Sequence, residues 1–157
     1  MTELIDAVKI GNLSKVQEKL EAGADVNLEE AGTIALIAGV EVGSAEILQL
    51  LLAAGADVNK QDPDGWTALM EAAASDRQEI VQILLDAGAD INAKTNEGLT
   101  ALIAAAAKGH GAIVKILLDK GADINAKDKN NWTALVWASA EGHIDIVESI
   151  KEARNKR

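Results

Sequence analysis

Apolar residues recur at helical spacing in two kinds of segment along this chain. In one kind, large aliphatic side chains occupy one face, as in residues 80–85 and again in residues 113–118. Such spacing is typical of an amphipathic helix that buries one side. The other kind is shorter and rich in alanine, and it predicts helices over residues 68–75 and 101–108. The pattern therefore predicts that two kinds of short helix alternate along the chain.

These segments belong to an internal repeat. The string Gly-Ala-Asp-Val/Ile-Asn begins at Gly23, Gly55, Gly88 and Gly121, at intervals of 32, 33 and 33 residues. A second string, any residue followed by Thr-Ala-Leu, keeps a spacing of 33. Its copies are Trp66-Thr67-Ala68-Leu69, Leu99-Thr100-Ala101-Leu102 and Trp132-Thr133-Ala134-Leu135, with a degenerate copy at Thr33-Ile34-Ala35-Leu36. Two strings in constant register indicate a stack of similar units.

Each unit is interpreted as helix, turn, helix and long loop. The threonine of the second string is a good N-cap for the alanine-rich helix. Turns at Asp76-Arg77, Gly109-His110 and Gly142-His143 end that helix. The glycine of the first string ends the aliphatic helix, because glycine takes a left-handed conformation without penalty. The Asp and Asn that follow this glycine are suited to hydrogen bonds with the loop backbone.

The motifs G-x-T-A-L, Gly-His, I-V-x-x-L-L and G-A-D-V-N together resemble the ankyrin repeat, and the resemblance covers essentially the whole chain. It implies an all-α solenoid of stacked helix-turn-helix units joined by loops and β-turns. Three features depart from the family pattern, and they make the cohesion between units more apolar. Alanine stands for the usual proline, at Ala68, Ala101 and Ala134; Met70, Ile103 and Val136 stand for the usual histidine; and Ile34 stands for the capping threonine.

Polar residues at both ends suggest the limits of the array, because a terminal unit needs a polar outer side. Lys15, Glu18 and Lys19 align with apolar positions of an internal unit, as do Ser149 and Lys151. We therefore predict one domain over 1–157, with an N-terminal cap 1–27, repeats 28–60, 61–93 and 94–126, and a C-terminal cap 127–157. The array would start at Thr2 in the family's threonine position, and we expect a complete chain.

Composition narrows the function classes. Cysteine, phenylalanine and tyrosine are absent, and the net charge is −10. This charge disfavours nucleic acid and anionic membranes and favours partners with basic surfaces. The basic group at the C-terminus, Lys151, Arg154, Lys156 and Arg157, is interpreted as a frayed, solvated tail. Without a signal peptide or an apolar run long enough to span a bilayer, we expect a soluble, cytoplasmic monomer.

The sequence offers no catalytic constellation, and we predict neither an enzyme nor a cofactor nor a metal site. Phosphate-loop, nucleophile-elbow and zinc-protease motifs are missing. His110 and His143 occupy the same turn position in adjacent units, so we interpret both as structural. The carboxylates of Asp62-Pro63-Asp64 lack the further ligands of a calcium loop.

The concave face of loop tips and first helices is the one that the resemblance implies for protein partners. One column on it holds Trp66, Leu99 and Trp132, which we predict as apolar anchors, although each tryptophan could instead pack locally over its own turn. Trp137 fills the core or borders a shallow notch beside Glu71, where a small molecule is a further candidate. The charged residues predicted around the anchors are Asp64, Glu71, Glu97, Lys108 and Glu141.

Two functions are therefore considered. The first is a protein–protein interaction module with a basic or apolar partner on this face. The second is an engineered or structural scaffold without a natural partner, which the missing aromatic types and regular spacing favour. Variation between copies weighs against an idealised scaffold, since Gly111 stands early in a helix, where glycine costs about 0.5–1 kcal/mol relative to alanine.

Overall fold

The computed structural model describes residues 3–157, so the expectation for Thr2 lies outside the described residues. Within this range the chain forms helix–turn–helix pairs and one short hairpin, and the predicted all-α solenoid is confirmed. The helices are α1 Glu3–Lys9, α2 Leu13–Glu21, α3 Ala35–Val42, α4 Ala45–Ala53, α5 Ala68–Ala74, α6 Gln78–Asp86, α7 Ala101–Lys108, α8 Gly111–Asp119, α9 Ala134–Ala140 and α10 Ile144–Lys156; the strands are β1 Glu29–Glu30 and β2 Thr33–Ile34.

The first helix of each pair begins where the threonine pattern predicts. Thr67, Thr100 and Thr133 accept hydrogen bonds from the backbone N–H three residues later, at 3.3, 3.2 and 3.3 Å. Ile34 precedes α3 without a side-chain cap, as its substitution for threonine implies. Gly43 and Gly109 end α3 and α7 in the left-handed conformation.

One aliphatic column shows how the second helices build the core. Leu51, Leu84, Leu117 and Ile150 occupy the same position of successive second helices, and each is fully buried. Lys19 takes this position in α2, where its ammonium group binds the Glu3 carboxylate at 2.8 Å. The hydrogen bond and charge of Lys19 lower the pKa of Glu3. The buried aliphatic column thus ends in a polar pair, Lys19 and Glu3, in the first unit. The exact boundaries of the units remain predictions.

The C-terminus differs from the expected frayed tail. Helix α10 continues without a break to Lys156, and the Arg157 guanidinium donates to the carbonyl oxygens of Ala122 and Leu118 at 2.8 and 3.0 Å. These carbonyls lie at and just beyond the end of α8, where helix termini leave acceptors unpaired. Lys151, Arg154 and Lys156 are exposed, so the tail is solvated but ordered.

An asparagine ladder links successive units along the loops that follow the second helices. Asn27 accepts from the Asp57 N–H at 2.7 Å and donates to the Gly55 carbonyl at 3.1 Å. Asn59 makes the equivalent pair with Asp90 and Gly88, and Asn92 accepts from the Asp123 N–H. The predicted bonding of loop backbone by Asp and Asn is confirmed, and the asparagine also reaches the neighbouring unit.

Packing between units differs on the two sides of the stack. At every step, the first helices of neighbouring units contact each other more extensively than the second helices do. Among residues 3–157, no helix is both long enough and apolar enough to cross a membrane.

Candidate partner-binding groove

The candidate groove is the face that the resemblance implies for partners. It comprises four loop tips, residues 29–34, 62–66, 95–99 and 128–132, and the first helices α3, α5, α7 and α9. Three of the tips are closed by the same pattern of hydrogen bonds. The first side chain of each tip accepts two backbone N–H bonds, which fold the tip back on itself. The acceptors are Asp62 for Asp64 and Trp66, Thr95 for Glu97 and Leu99, and Asp128 for Asn130 and Trp132, all at 2.8–3.2 Å.

The first tip closes differently because its loop is one residue shorter, which accounts for the interval of 32. Here β1 and β2 pair antiparallel, with Glu30 opposite Thr33. Ala31 and Gly32 form the connecting turn with φ values of 52° and 76°. Two successive positive φ values are typical of the tight turns that join hairpin strands.

Neighbouring tips also bond to each other through their backbones. The Asn96 N–H donates to the Asp64 carbonyl at 2.9 Å, and the Lys129 N–H donates to the Glu97 carbonyl at 3.0 Å. The Asn96 side chain adds a bond to the Pro63 carbonyl. The second, third and fourth tips are therefore linked into one rim that can present side chains at fixed spacing.

The predicted anchor column is only partly available to a partner. Trp66, Leu99 and Trp132 are all half-buried, at the base of their tips. Trp66 and Leu99 pack against the hydrophobic core. Each side chain thus combines local packing with partial exposure.

Trp132 and Trp137 form an aromatic pair that the sequence interpretation placed in two separate columns. Their ring centroids lie 4.8 Å apart in an edge-to-face arrangement with an interplanar angle of 64°. The Trp137 indole N–H donates to Asp128 at 2.8 Å. Trp137 also packs against the core, so the predicted filling role is found together with a hydrogen bond that holds the ring in place.

Asp128 is a nearly buried carboxylate, 7% exposed, beneath this pair. Burial alone would raise the pKa of Asp128. The hydrogen bonds from the Trp137 indole and from the backbone of Trp132 and Asn130 outweigh burial and hold the pKa below its ordinary value of 3.8. The sequence does indicate Asp128, because it stands first in its loop tip as Asp62 does. The bond to Trp137 could not be predicted, since it depends on a ring orientation that residue spacing does not define.

Of the predicted charged residues, Asp64 and Glu97 lie on loop tips, Glu71 lies in the first turn of α5, and Lys108 and Glu141 lie at and just after the C-terminal ends of α7 and α9. Asp64, Glu97, Lys108 and Glu141 are exposed, whereas Glu71 is half-buried. Glu97 pairs with Lys129 at 3.4 Å. Carboxylates outnumber ammonium groups in the groove. Its lysines are Lys108 and Lys129, and its carboxylates are Glu29, Glu30, Glu41, Asp62, Asp64, Glu71, Glu97 and Asp128, with Glu141 directly after α9.

The two histidines act as structural links between units. The Nε2 atoms of His110 and His143 lie 3.0 and 3.3 Å from the carbonyl oxygens of Ala74 and Ala107, near the ends of the preceding first helices. Arg77 holds the same position one unit earlier and donates to the Glu41 carbonyl at 3.1 Å. The structural interpretation of His110 and His143 is confirmed, and the described residues contain no cluster suited to a metal ion.

Comparison with known families agrees with this architecture. The family model described as ankyrin repeats (3 copies) matches residues 4–95 and 88–156, which together cover almost the whole chain. The chain belongs to the ankyrin repeat family. Ankyrin repeats generally serve as protein–protein interaction modules. None of the curated proteins matches the sequence.

Proposed function

We propose that this ankyrin repeat chain binds a protein partner in the groove and that the partner presents an apolar and basic surface. The observation that carries the proposal is the column of Trp66, Leu99 and Trp132. These apolar side chains keep part of their surface exposed on a rim whose backbone is fixed. Half-buried aromatic side chains on a rigid frame are typical binding hot spots.

Charge supports the choice of partner. The groove is rich in carboxylates, and Asp64, Glu97 and Glu141 are exposed at its surface. A field of one sign attracts the opposite charge and speeds association. The partner would therefore bring lysine or arginine side chains to the rim and apolar side chains to the column.

Two charge-reversed variants test the binding face without disturbing the core. The variant E97K/E141K reverses exposed charges in the groove, and E46K/E79K makes the same net change on exposed positions of α4 and α6. A photo-crosslinking residue at Asp64 or at Gln82 would then identify the partner and the face that it contacts. We expect crosslinks at position 64, an affinity at least tenfold lower for E97K/E141K, and little change for E46K/E79K.

A second comparison tests the anchors. Trp66→Ala and Trp132→Ala should each weaken binding by about 10- to 30-fold, as expected for hot-spot aromatics, while circular dichroism confirms that the fold persists. Lower stability with unchanged affinity would show that these rings serve packing alone. If affinity falls in E46K/E79K instead of E97K/E141K, the site lies on the second helices and the proposal is overturned.

The alternative, an engineered or structural scaffold, predicts a different result. Such a chain would capture no specific partner at position 64, and the groove variants would behave like the wild type in every binding measurement. The absence of cysteine suits a reducing compartment, and we propose that the protein acts in the cytoplasm as a monomer. Sedimentation analysis would test the oligomeric state.

A further inference from the structure

We propose that Trp66 and Glu71 form a subsite of the groove that receives an arginine or lysine side chain of the partner. This inference rests on the proposed function and adds the chemistry of one contact to it. Three features of the chain support it: the register of the repeat, the hydrogen bonding of Glu71 and the balance of charge along the groove.

The register gives Trp66 and Glu71 the two positions that form a contact pair in the last unit. Trp132 and Trp137 hold the same two positions in the last unit, and their ring centroids lie 4.8 Å apart. Thr67 and Thr133 cap α5 and α9 in the same way, so the two units share their local geometry. The repeat 61–93 therefore carries a carboxylate side chain at the position where the last unit has its second ring.

Glu71 is held in a defined orientation with one oxygen already occupied. The Ser75 hydroxyl donates to Glu71 Oε1 at 3.1 Å. Glu71 also lies in the first turn of α5, where the helix dipole favours a negative charge. In the described part of the chain no lysine, arginine or histidine forms an ion pair with Glu71. Its Oε2 atom is thus available to an incoming cation.

A tryptophan beside a carboxylate recognises a cation through two interactions at once. The ring face attracts the cation, and the carboxylate accepts its N–H groups. Arginine meets both requirements well, because its planar guanidinium can stack on the ring while it donates to an oxygen. Of the groove lysines, Lys129 is engaged with Glu97, which leaves Lys108 as the cation that could compete.

The neighbouring units indicate which type of residue should accompany the cation in the partner. Leu99 and Ala104 hold the same pair of positions in the repeat 94–126, and Trp132 and Trp137 hold it in the last unit. Since packed helices lie about 8–10 Å apart, these pairs are separated from Trp66 by roughly one and two such steps. An extended segment rises about 3.3 Å per residue. A partner strand would therefore place an apolar residue about three positions from its cation to reach Leu99, and about five or six positions away to reach Trp132 and Trp137.

Peptide selection tests the subsite directly. Random 12-residue peptides displayed on phage would be selected against the folded wild-type chain and against Glu71→Lys. We expect the wild type to enrich peptides with arginine or lysine at one fixed position. A selected peptide should lose at least tenfold in affinity on Glu71→Gln and on Trp66→Leu, but change less than twofold on Glu79→Gln, which removes the same charge from α6. Peptides selected against Glu71→Lys should show no enrichment of arginine or lysine at that position.

The outcomes separate this inference from the function on which it rests. Groove-binding peptides that lack a fixed cation, or that bind Glu71→Gln as tightly as the wild type, would overturn the subsite and leave the groove as the binding face. Peptides whose binding is insensitive to E97K/E141K and to Trp132→Ala would lie outside the groove and overturn both. If no peptide is enriched, both the subsite and the proposed function are overturned.

Discussion

The second and fourth loop tips, residues 62–66 and 128–132, close with the same hydrogen bonds but are stabilised by different neighbours. Asp62 and Asp128 each accept two backbone N–H bonds within their own tips. The second tip is then covered by the tip of the next unit, through the bond from the Asn96 N–H to the Asp64 carbonyl. The fourth tip has no following unit in the structure, and instead Asp128 accepts the Trp137 indole N–H.

This difference shows two ways in which a loop tip is held in place. An internal tip gains its order from contacts between units, as expected for a quasi-one-dimensional array. The fourth tip bonds to the third through the Lys129 N–H. It gains a further bond from its own first helix, because the Trp137 indole N–H reaches back to the carboxylate that closes the loop. The aromatic pair at Trp132 and Trp137 is thus part of the closure of the last unit as well as a candidate anchor.

The largest expected effect comes from removing the carboxylate of the fourth tip. Asp128→Ala deletes the acceptor of three hydrogen bonds and leaves the indole N–H and two backbone groups unpaired. We expect a loss of about 3 kcal/mol in the free energy of unfolding, measured by urea denaturation. Asp62→Ala deletes two bonds at a half-exposed site, and about 1 kcal/mol is expected. Equal losses for both variants would contradict the special role of Trp137.

The next effect concerns the positive-φ residue of each tip. Gly65 has a φ of 85°, and an added Cβ would lie 2.8 Å from the Asn96 backbone nitrogen and 3.0 Å from the Thr95 Cα. Gly65→Ala should therefore cost about 2 kcal/mol through backbone strain and a clash with the next tip. Asn131 takes this position in the fourth tip with a φ of 62° and already carries a Cβ. Asn131→Ala should cost at most about 1 kcal/mol, and a larger cost than that of Gly65→Ala would refute the comparison.

The sequence predicts what repeats at fixed register. The 33-residue spacing, the caps at Thr67 and Thr100 and the ends of α7 all follow from local chemistry, and the structure reproduces them. Contacts between units could not be derived in this way. The partners of Asn27 lie 28 and 30 residues away, so the bonds depend on how far one unit is offset from the next.

The candidate site shows the same division. Columns of residues could be predicted from the register, which places Trp66, Leu99 and Trp132 at equivalent positions. The contact between Trp132 and Trp137 crosses two columns, and its geometry depends on side-chain rotamers. The ordered C-terminus was missed for a related reason, since the bonds of Arg157 require acceptors supplied by a helix 35–39 residues earlier.

A smaller effect should appear in the pH dependence of stability. The pKa of Asp128 is lower in the folded chain than its ordinary value of 3.8, so the ionised carboxylate stabilises the fold above that pH. This contribution is lost as the pH falls through the lowered pKa. Wild type should therefore exceed Asp128→Asn in unfolding free energy at pH 7, and the difference should shrink below pH 3.8. Urea titrations across this range measure it.

Trp137→Phe provides the matched control for the pH experiment. It keeps a ring beside Trp132 but removes the N–H that Asp128 accepts. In this variant, substitution of Asp128 by asparagine should cost less at pH 7 than it does in the wild type. A cost independent of the ring at position 137 would show that the backbone bonds from Trp132 and Asn130 alone lower the pKa of Asp128.

The smallest expected effect is a gain, and it isolates the conformational part of the comparison. Asn131→Gly introduces the residue that the second and third tips have at Gly65 and Gly98, where φ is also positive. Asparagine tolerates this conformation better than most residues, so relief of strain should add only about 0.5 kcal/mol to stability. Thermal and urea unfolding should both detect it. A loss of similar size would mean that the greater freedom of glycine in the unfolded chain outweighs the strain at Asn131, in contrast to Gly65, where the neighbouring tip excludes a side chain altogether.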